Sequence, residues 1–223
     1  MKNEENHRDP ITVAIIEDHE STRKALVRQL RAAGFSTVDF ASALDFLRAR
    51  ERLAVDCLIA DVHLPMMDGL QLQDELQRTA QHMPIIFITG DAELSIGMQA
   101  MRRGAADFLA KPLDDDTLFE AIRRGVELAR QRLQADGELK ELEKRHDSLT
   151  SREKDVFVLI SRGLLNKQVA AELGTAERTI KAHRRRVMDK MQAQSLAHLV
   201  RSASLLHIDV ISSSTAPKKR MGQ

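Results

Sequence analysis

The chain has 223 residues, of which 43% are hydrophobic and 30% charged, so it is long enough for two domains that each bury a core. Trp and Tyr are absent and Cys57 is the only cysteine, which argues against base-stacking platforms for single strands and excludes an intramolecular disulfide or a cysteine-based zinc site. No apolar run approaches the ~20 residues that cross a bilayer, and the N-terminus lacks a secretory signal, so we expect a cytoplasmic protein with no membrane partner.

The net charge of +1 conceals two halves of opposite sign. Residues 149–223 hold 14 basic and 6 acidic side chains, whereas residues 1–148 hold 20 basic and 27 acidic ones. A basic half joined to an acidic half indicates that the second half binds a polyanion.

Runs rich in Val, Ile and Leu alternate with helical segments through the first part of the chain, which is the pattern of a parallel sheet covered by helices on both faces. Gly34 and Gly104 follow two of the helical segments and are expected to end them. We thus predict an α/β domain with a doubly wound, five-stranded parallel sheet. Its predicted strands are Thr12–Ile16, Thr37–Phe40, Asp56–Ala60, Ile85–Thr89 and Ala106–Ala110. The predicted helices between them are Glu20–Ala33, Ala41–Arg50, Leu70–Ala80 and Leu94–Arg103.

A long amphipathic helix is predicted after Asp114–Asp116, whose carboxylates complement a helix dipole. We expect Asp136-Gly137 to interrupt this helix, and a charged, helical linker to follow over Glu138–His146. Apolar residues mark the buried stripe of the long helix at Leu118, Ile122, Val126, Ala129 and Leu133.

Four shorter helices are predicted beyond the linker. Thr150-Ser151-Arg152-Glu153 has the pattern of a capping box, and Thr175 is a candidate cap for the third of these helices. Short turns between such helices are typical of a helix-turn-helix, here within an all-α domain. The predicted organisation is an N-terminal extension (1–10), the sheet domain (11–128), a helical linker (129–147), the four-helix domain (148–208) and a disordered tail (209–223).

Polar side chains stand at the ends of four predicted strands: Glu17 and Asp18, Asp61, Thr89, and Lys111. In a parallel sheet these ends converge on one rim, where ligands bind. Three carboxylates brought together repel one another unless a cation lies among them, and oxygen ligands that act on phosphate favour Mg²⁺. An Asp beside Mg²⁺ can attack phosphorus and form an acyl phosphate. We predict that one of these aspartates is the nucleophile, that Lys111 neutralises phosphoryl oxygens and that the Thr89 hydroxyl binds one of them.

A phosphatase of the haloacid dehalogenase type is a competing interpretation, since it also uses an aspartate nucleophile and Mg²⁺. Such an enzyme needs a second Asp two residues after the first, but His63 stands at that position and no Asp-x-Asp-x-Thr motif occurs. We therefore predict no enzyme activity beyond the chain's assistance to its own phosphorylation and dephosphorylation.

Short motifs surround these residues: Ile15-Ile16-Glu17-Asp18, Leu58-Ile59-Ala60-Asp61, Met67-Asp68-Gly69, Ile88-Thr89-Gly90 and Phe108-Leu109-Ala110-Lys111-Pro112. With them, residues 12–125 resemble the receiver domain of bacterial response regulators. The resemblance implies that Asp61 accepts phosphate from a histidine kinase, that Asp18 binds Mg²⁺ directly and that Glu17 acts mainly through water. It also implies that the backbone carbonyl of His63 completes the metal ligands and that Phe108 swings inward as a switch, although plain core packing of Phe108 is an open alternative.

The second half contains Leu149-Thr150-Ser151-Arg152-Glu153, Gly163-Leu164-Leu165-Asn166-Lys167-Gln168-Val169-Ala170 and Arg178-Thr179-Ile180-Lys181-Ala182-His183-Arg184. With these motifs, residues 149–200 resemble the LuxR-type helix-turn-helix, in particular the FixJ branch of the FixJ/NarL response regulators. The resemblance implies binding to double-stranded DNA, with the fourth helix pairing two domains. No P-loop motif occurs, so we expect regulation through homodimerisation on phosphorylation and direct contact with RNA polymerase.

Helical geometry assigns roles on the third of these helices. Ile180 and Val187 should face the other helices, which turns Arg178, Lys181, Ala182 and Arg185 toward the major groove. Lys181 and Arg185 are expected to reach guanines, and Ala182 a thymine methyl. Residues expected to bind phosphates flank that face: Lys167, Thr179, Arg184, Arg186 and Lys190.

The predicted function is a phosphorylation-dependent transcriptional regulator, acting as an activator. One alternative is a DNA-binding regulator whose receiver acts by protein contact and needs no phosphate. Another is a phosphate-relay or adaptor protein with a vestigial helix-turn-helix.

Overall fold

The structure is a computed structural model that describes residues 10–78, 83–90 and 94–208. It divides into two compact units between Leu133 and Gln134. The predicted N-terminal extension, apart from Pro10, and the predicted disordered tail lie outside the described residues.

The first unit contains one sheet of five parallel strands in the order β2-β1-β3-β4-β5, which confirms the predicted doubly wound α/β fold. Its strands are β1 (Thr12–Ile16), β2 (Ser36–Phe40), β3 (Cys57–Asp61), β4 (Ile85–Thr89) and β5 (Asp107–Ala110). Its first four helices are α1 (Glu20–Ala32), α2 (Ala43–Ala49), α3 (Gly69–Arg78) and α4 (Leu94–Arg102), and a 3₁₀ turn follows α2 over Arg50–Arg52.

Alternation along the central strands divides the core of this unit into two layers. In β1, Ala14 and Ile16 enter one buried cluster with Phe46, whereas Val13 and Ile15 enter the opposite cluster. Because successive side chains of a strand point to opposite faces, a strand buried on both sides must be apolar throughout. Because both faces of the sheet are covered, the polar residues that follow the strands reach the solvent only at the ends of the strands.

Two glycines end helices as predicted. Gly34 follows α1 and Gly104 follows α4, with φ angles of 87° and 85° that an L side chain rarely adopts.

The fifth helix, α5 (Asp115–Asp147), is continuous through Gly137, so the prediction of a break at Asp136-Gly137 was wrong. Glycine inside a helix costs about 1 kcal/mol relative to alanine, which good helix formers on both sides can offset. The Gln134 Nε2 donates to Glu138 Oε1 at 3.0 Å and bridges the glycine on the helix surface. Leu133, predicted in the buried stripe, is exposed instead.

The second unit packs four helices against the end of α5: α6 (Ser151–Ser161), α7 (Asn166–Glu172), α8 (Glu177–Lys190) and α9 (Leu196–Leu205). The predicted capping box is present, because the Thr150 hydroxyl accepts from Glu153 N while the Glu153 carboxylate accepts from Thr150 N. The predicted cap of α8 was wrong, since the helix begins after Ala176 and the Thr175 side chain does not cap it. Among the described residues, no helix combines the length and apolarity that crossing a bilayer requires.

Candidate functional site

Two acidic strand ends lie side by side where the strand order of the sheet reverses. Glu17 and Asp18 follow β1, and Asp61 ends the adjacent strand β3. The Glu17 side chain is fully buried and that of Asp61 nearly so, whereas Asp18 is about one-third exposed. Because this edge is where parallel sheets bind ligands, the topology places three carboxylates at the expected binding rim.

One ammonium group joins the two buried carboxylates. Lys111 Nζ lies 2.6 Å from Asp61 Oδ2 and 2.6 Å from Glu17 Oε2. Burial alone would lower the pKa of Lys111, but the hydrogen bonds and charges of Asp61 and Glu17 outweigh burial and raise this pKa above its ordinary value. The ammonium therefore stays charged and neutralises much of the repulsion between the carboxylates.

Thr89 and Lys111 are connected through the backbone of adjacent strands. The Lys111 N–H donates to the Thr89 carbonyl oxygen at 2.7 Å, and the Thr89 side chain is buried at the end of β4. The His63 N–H donates to Asp61 Oδ1 at 2.8 Å, so the loop after β3 folds back toward the acidic cluster. The structure thus brings the predicted Glu17, Asp61 and Lys111 into direct contact and holds Thr89 on the neighbouring strand.

Phe108 is half-buried in β5 and lies against α4. A Cβ added to Gly97 would come within 3.0 Å of the Phe108 ring, so the helix approaches the ring closely because position 97 has no side chain. A larger residue at Gly97 would force the ring to move. The packing accounts for the observed ring position, and the switch role remains a prediction.

Two residues that the sequence analysis missed support the acidic cluster. Arg23 Nη1 donates to the backbone carbonyls of Glu17 at 2.7 Å and Asp18 at 3.3 Å, and its Nε donates to Asp39 at 3.2 Å. His19 Nδ1 lies 2.9 Å from Asp18 Oδ1. The available signals were the position of His19 next to Asp18 and that of Arg23 one helical turn later.

The carboxylates fit a hard divalent cation such as Mg²⁺. Glu17, Asp18 and Asp61 offer oxygen donors from two adjacent strand ends, and oxygen is the donor that Mg²⁺ prefers. Buried carboxylates are also the groups that most need compensating positive charge, of which Lys111 supplies a single unit. A receiver-type acidic pocket for Mg²⁺ is consistent with this donor set.

The second candidate surface is the exposed face of α8. Ile180 and Val187 are fully buried, as predicted, and the residues predicted to read bases are exposed on the other side. Lys181 Nζ lies 3.4 Å from Glu177, and Arg185 Nε lies 3.9 Å from Asp189. These surface pairs follow one line of the helix and contribute little stability, so the cations can exchange partners readily.

The structure gives Lys190 a contact within the domain that the sequence analysis did not predict. Its Nζ lies 2.6 Å from Glu153 Oε2 and donates to the Ser148 carbonyl oxygen at 3.0 Å. Glu153 is 3% exposed and Lys190 36%, so the carboxylate is desolvated while the ammonium keeps part of its hydration. Lys190 therefore anchors the end of α8 to the start of α6, and its contact with a DNA phosphate stays a prediction.

Arg184 on α8 is also partly engaged within the domain. Arg184 Nη1 donates to Asn166 Oδ1 at 3.2 Å, which holds its guanidinium near the N-terminus of α7. The buried Nδ1 of His183 has no hydrogen-bond partner within the described part of the chain. Arg178, Lys167 and Arg186 remain exposed, as a DNA-facing surface requires.

Comparison with known proteins finds two family models. Residues 13–123 match the response regulator receiver domain, and residues 147–203 match the luxR family of bacterial regulatory proteins.

Full-length relatives cover both matched regions. Nodulation protein W of Bradyrhizobium diazoefficiens is 42% identical over 88% of this chain and 86% of its own length. Transcriptional regulatory protein FixJ of Azorhizobium caulinodans is 36% identical over 88% of this chain and 93% of its own. The solved structure of the response regulator StyR shares 40% identity, with a TM-score of 0.76 over 87% of this chain and 98% of that one.

Proposed function

Because the chain belongs to the two-component response regulators that join a receiver domain to a LuxR-type DNA-binding domain, we propose that phosphorylation of Asp61 controls its binding to promoter DNA. The observation that carries this proposal is the Lys111 ammonium shared between Asp61 and the buried Glu17. Members of the family are DNA-binding regulators rather than enzymes, and their receiver domains are phosphorylated by histidine kinases. A DNA ligand implies action in the cytoplasm.

The chemistry follows from the position of Asp61. One of its carboxylate oxygens attacks the phosphorus of a kinase phosphohistidine, a P–O bond forms, and the P–N bond to the imidazole breaks. Lys111 stays in the pocket throughout, because Glu17 holds it even when the carboxylate of Asp61 becomes an acyl phosphate. The ammonium can then pair with a phosphoryl oxygen, and the Thr89 hydroxyl can bind another.

Mg²⁺ would be held by Asp18 and Asp61, with Glu17 acting mainly through water and the His63 carbonyl oxygen completing the protein ligands. When bound, it would neutralise charge on the transferring phosphoryl group. The receiver therefore assists its own phosphorylation and dephosphorylation without having a separate substrate.

Binding of a promoter fragment with and without a phosphoryl analogue tests the proposal. The full chain is incubated with Mg²⁺ and beryllofluoride, and its affinity for a duplex identified by footprinting is compared with that of the untreated chain. We expect tighter binding after treatment. An unchanged affinity would favour the alternative in which the receiver acts by protein contact alone, and no binding in either state would favour the adaptor.

Lys111→Ala should uncouple phosphorylation of Asp61 from dimerisation. The variant keeps the predicted metal ligands, but no ammonium links the phosphoryl group to Glu17, so the rearrangement that follows phosphorylation loses its tether. We expect Mg²⁺ binding to persist and phosphorylation-driven dimerisation, measured by sedimentation, to be lost. Lys24→Ala, which removes an exposed lysine of α1 paired only with Glu20, is the matched control. Normal phosphorylation-driven dimerisation of the Lys111 variant would contradict the role.

On α8 we propose that Lys181, Ala182 and Arg185 meet base edges, with Arg178 on the same face. Thr179, Arg184, Arg186 and Lys167 are proposed to contact phosphates, the first three beside that face and Lys167 on the neighbouring helix α7. Exposed Leu196 and Leu205 give α9 apolar surface suited to pairing two DNA-binding domains. A phosphorylated homodimer would then contact RNA polymerase and activate transcription.

Arg185→Ala should reduce affinity for the preferred site by about 1–3 kcal/mol and change binding to scrambled duplexes little, since its loss removes a base contact. Lys167→Ala should weaken both duplexes alike and reduce the salt slope by roughly one unit, since its loss removes a phosphate contact. Isotherms at several salt concentrations separate the two patterns. Equal weakening of both duplexes by Arg185→Ala would mean that Arg185 binds a phosphate and that α8 is oriented differently.

A further inference from the structure

We propose that His19 is a nitrogen ligand in the metal pocket and gives this receiver a preference for later transition ions over Mg²⁺. The inference rests on the metal site of the proposed function and changes it for these ions: His19 becomes a ligand, and Glu17 Oε1 binds the ion directly instead of through water. The three side chains that carry it are Glu17, Asp18 and His19, whose donor atoms all lie within 4.8 Å of one another.

The spacing of these atoms suits a shared ion. His19 Nδ1 lies 2.9 Å from Asp18 Oδ1 and 3.4 Å from Glu17 Oε1. Ligands bound at roughly 2.0–2.2 Å occupy neighbouring corners of an octahedron or tetrahedron when they are about 3 to 3.5 Å apart. The shorter distance is that of a hydrogen bond between His19 and Asp18, and a bound ion would replace this bond while the donor atoms keep nearly the same spacing.

The donors are held in place before any ion arrives. Arg23 fixes the backbone carbonyls of Glu17 and Asp18, and the His19 N–H donates to Glu17 Oε1 at 3.2 Å. Lys111 occupies Glu17 Oε2, so the other carboxylate oxygen faces the imidazole. A binding ion therefore meets a preorganised edge of the pocket, with His19 75% exposed and free to rotate by the small amount that coordination needs.

The kinds of donor atom determine which metal ions bind more tightly when His19 is a ligand. Mg²⁺ prefers oxygen donors and keeps several waters, so an imidazole adds little to its affinity. Imidazole suits Ni²⁺, Zn²⁺ and Cu²⁺, and affinities for a mixed nitrogen and oxygen site rise from Mn²⁺ to Cu²⁺ along the first row. This receiver should consequently bind Ni²⁺ far more tightly than a pocket with the carboxylates alone.

Titration calorimetry on the untagged full chain tests the inference, since the absence of Trp and Tyr rules out intrinsic indole fluorescence as the probe. We expect His19→Asn to lower the Ni²⁺ affinity of the pocket about tenfold or more while Mg²⁺ affinity changes less than about twofold. The chain has eight histidines, so His207→Asn, which removes an exposed imidazole of the second unit at a position whose φ of 53° asparagine accepts, serves as a matched control. That control should retain the tight Ni²⁺ site.

Pulsed electron paramagnetic resonance of bound Mn²⁺ supplies a direct readout. The wild type and His207→Asn should show modulation from a coordinated imidazole nitrogen, and His19→Asn should lack it. Nitrogen modulation that is absent from the wild type or that persists in His19→Asn would overturn the inference while leaving Mg²⁺ binding intact. Failure of the wild type to bind Mg²⁺ would instead overturn the metal site of the proposed function.

Discussion

Asp61→Asn is expected to take up no phosphate from acetyl phosphate in the presence of Mg²⁺, whereas the wild type gains one acid-stable, base-labile phosphate per chain. The amide is not a nucleophile, and it cannot supply the negative charge that pairs with Lys111 at 2.6 Å. Intact-mass spectrometry of the two proteins at matched times measures the difference directly. Phosphorylation-dependent gains in promoter binding should disappear together with the label.

Asp74→Asn provides the control for this substitution. Asp74 is an exposed carboxylate of α3 that pairs with Arg103 at 2.9 Å, away from the acidic strand ends, and its variant should be labelled like the wild type. Undiminished labelling of the Asp61 variant would show that another residue accepts the phosphate.

Lys190→Met should destabilise the second unit by about 2–4 kcal/mol, because it leaves the Glu153 carboxylate buried without its cation. Glu153 is 3% exposed, whereas Lys190 is 36% exposed. Because water already screens part of the attraction between the two charges, the loss of stability should be smaller than for a fully buried ion pair. Hydrogen exchange of the full chain, resolved by mass spectrometry, measures the opening free energies of α6 and α8 separately from those of the sheet. Protection in both helices should fall together.

Lys181→Met is the matched control, since it removes the same residue type from the exposed face of the same helix. Its partner Glu177 is 47% exposed, so we expect a change of about 0.5 kcal/mol or less. Equal effects of the two substitutions would mean that the Glu153–Lys190 pair is no more important than a surface pair.

The same pair predicts how the second unit responds to acid. Hydrogen bonds from Lys190 and from the Thr150 backbone lower the pKa of Glu153 from 4.5 to about 2. A lowered folded-state pKa means that the unfolded chain takes up a proton first, so the stabilisation is present above pH 4.5 and is lost as the pH falls toward 2. Lys190→Met should flatten this part of the pH profile, and a profile that keeps the wild-type slope would contradict the assignment.

Much of the fold could be predicted from the sequence because the signals are local. Strands buried on both sides must be continuously apolar, which marks β1, β3 and β4 directly. The capping box at Thr150 and Glu153 is likewise a pattern of nearby residues, and the order of the strand ends indicates which polar residues converge.

The errors arise where distant residues decide the outcome. The break predicted at Asp136-Gly137 is one such error, because α5 continues past Gly137 to Leu142, which is buried against the helices of the second unit, and packing of this kind supplies most of a helix's stability in proteins. The Lys190 contact joins residues that are 37 positions apart, so no local pattern distinguishes this lysine from the basic residues before it. Similarly, Arg23 acts by donating hydrogen bonds to the backbone carbonyl oxygens of Glu17 and Asp18. A pattern of side chains in the sequence does not reveal such contacts with the backbone.

The anchoring of α8 at its final residue has a consequence for engineering operator choice. The proposed base-reading positions end at Arg185, whereas the contact that fixes the helix within its domain is made by Lys190. A transplant of residues 178–186 from another regulator would thus exchange the reading surface while leaving the anchor in place. Exchanging the two charges, as Glu153→Lys with Lys190→Glu, would not restore the stability of the wild type. A lysine at position 153 cannot accept the hydrogen bond from the Thr150 N–H. If the proposed contacts hold, residues 178–186 form a short segment that can be exchanged to change sequence preference, and Lys190 marks the position that such an exchange should leave unchanged.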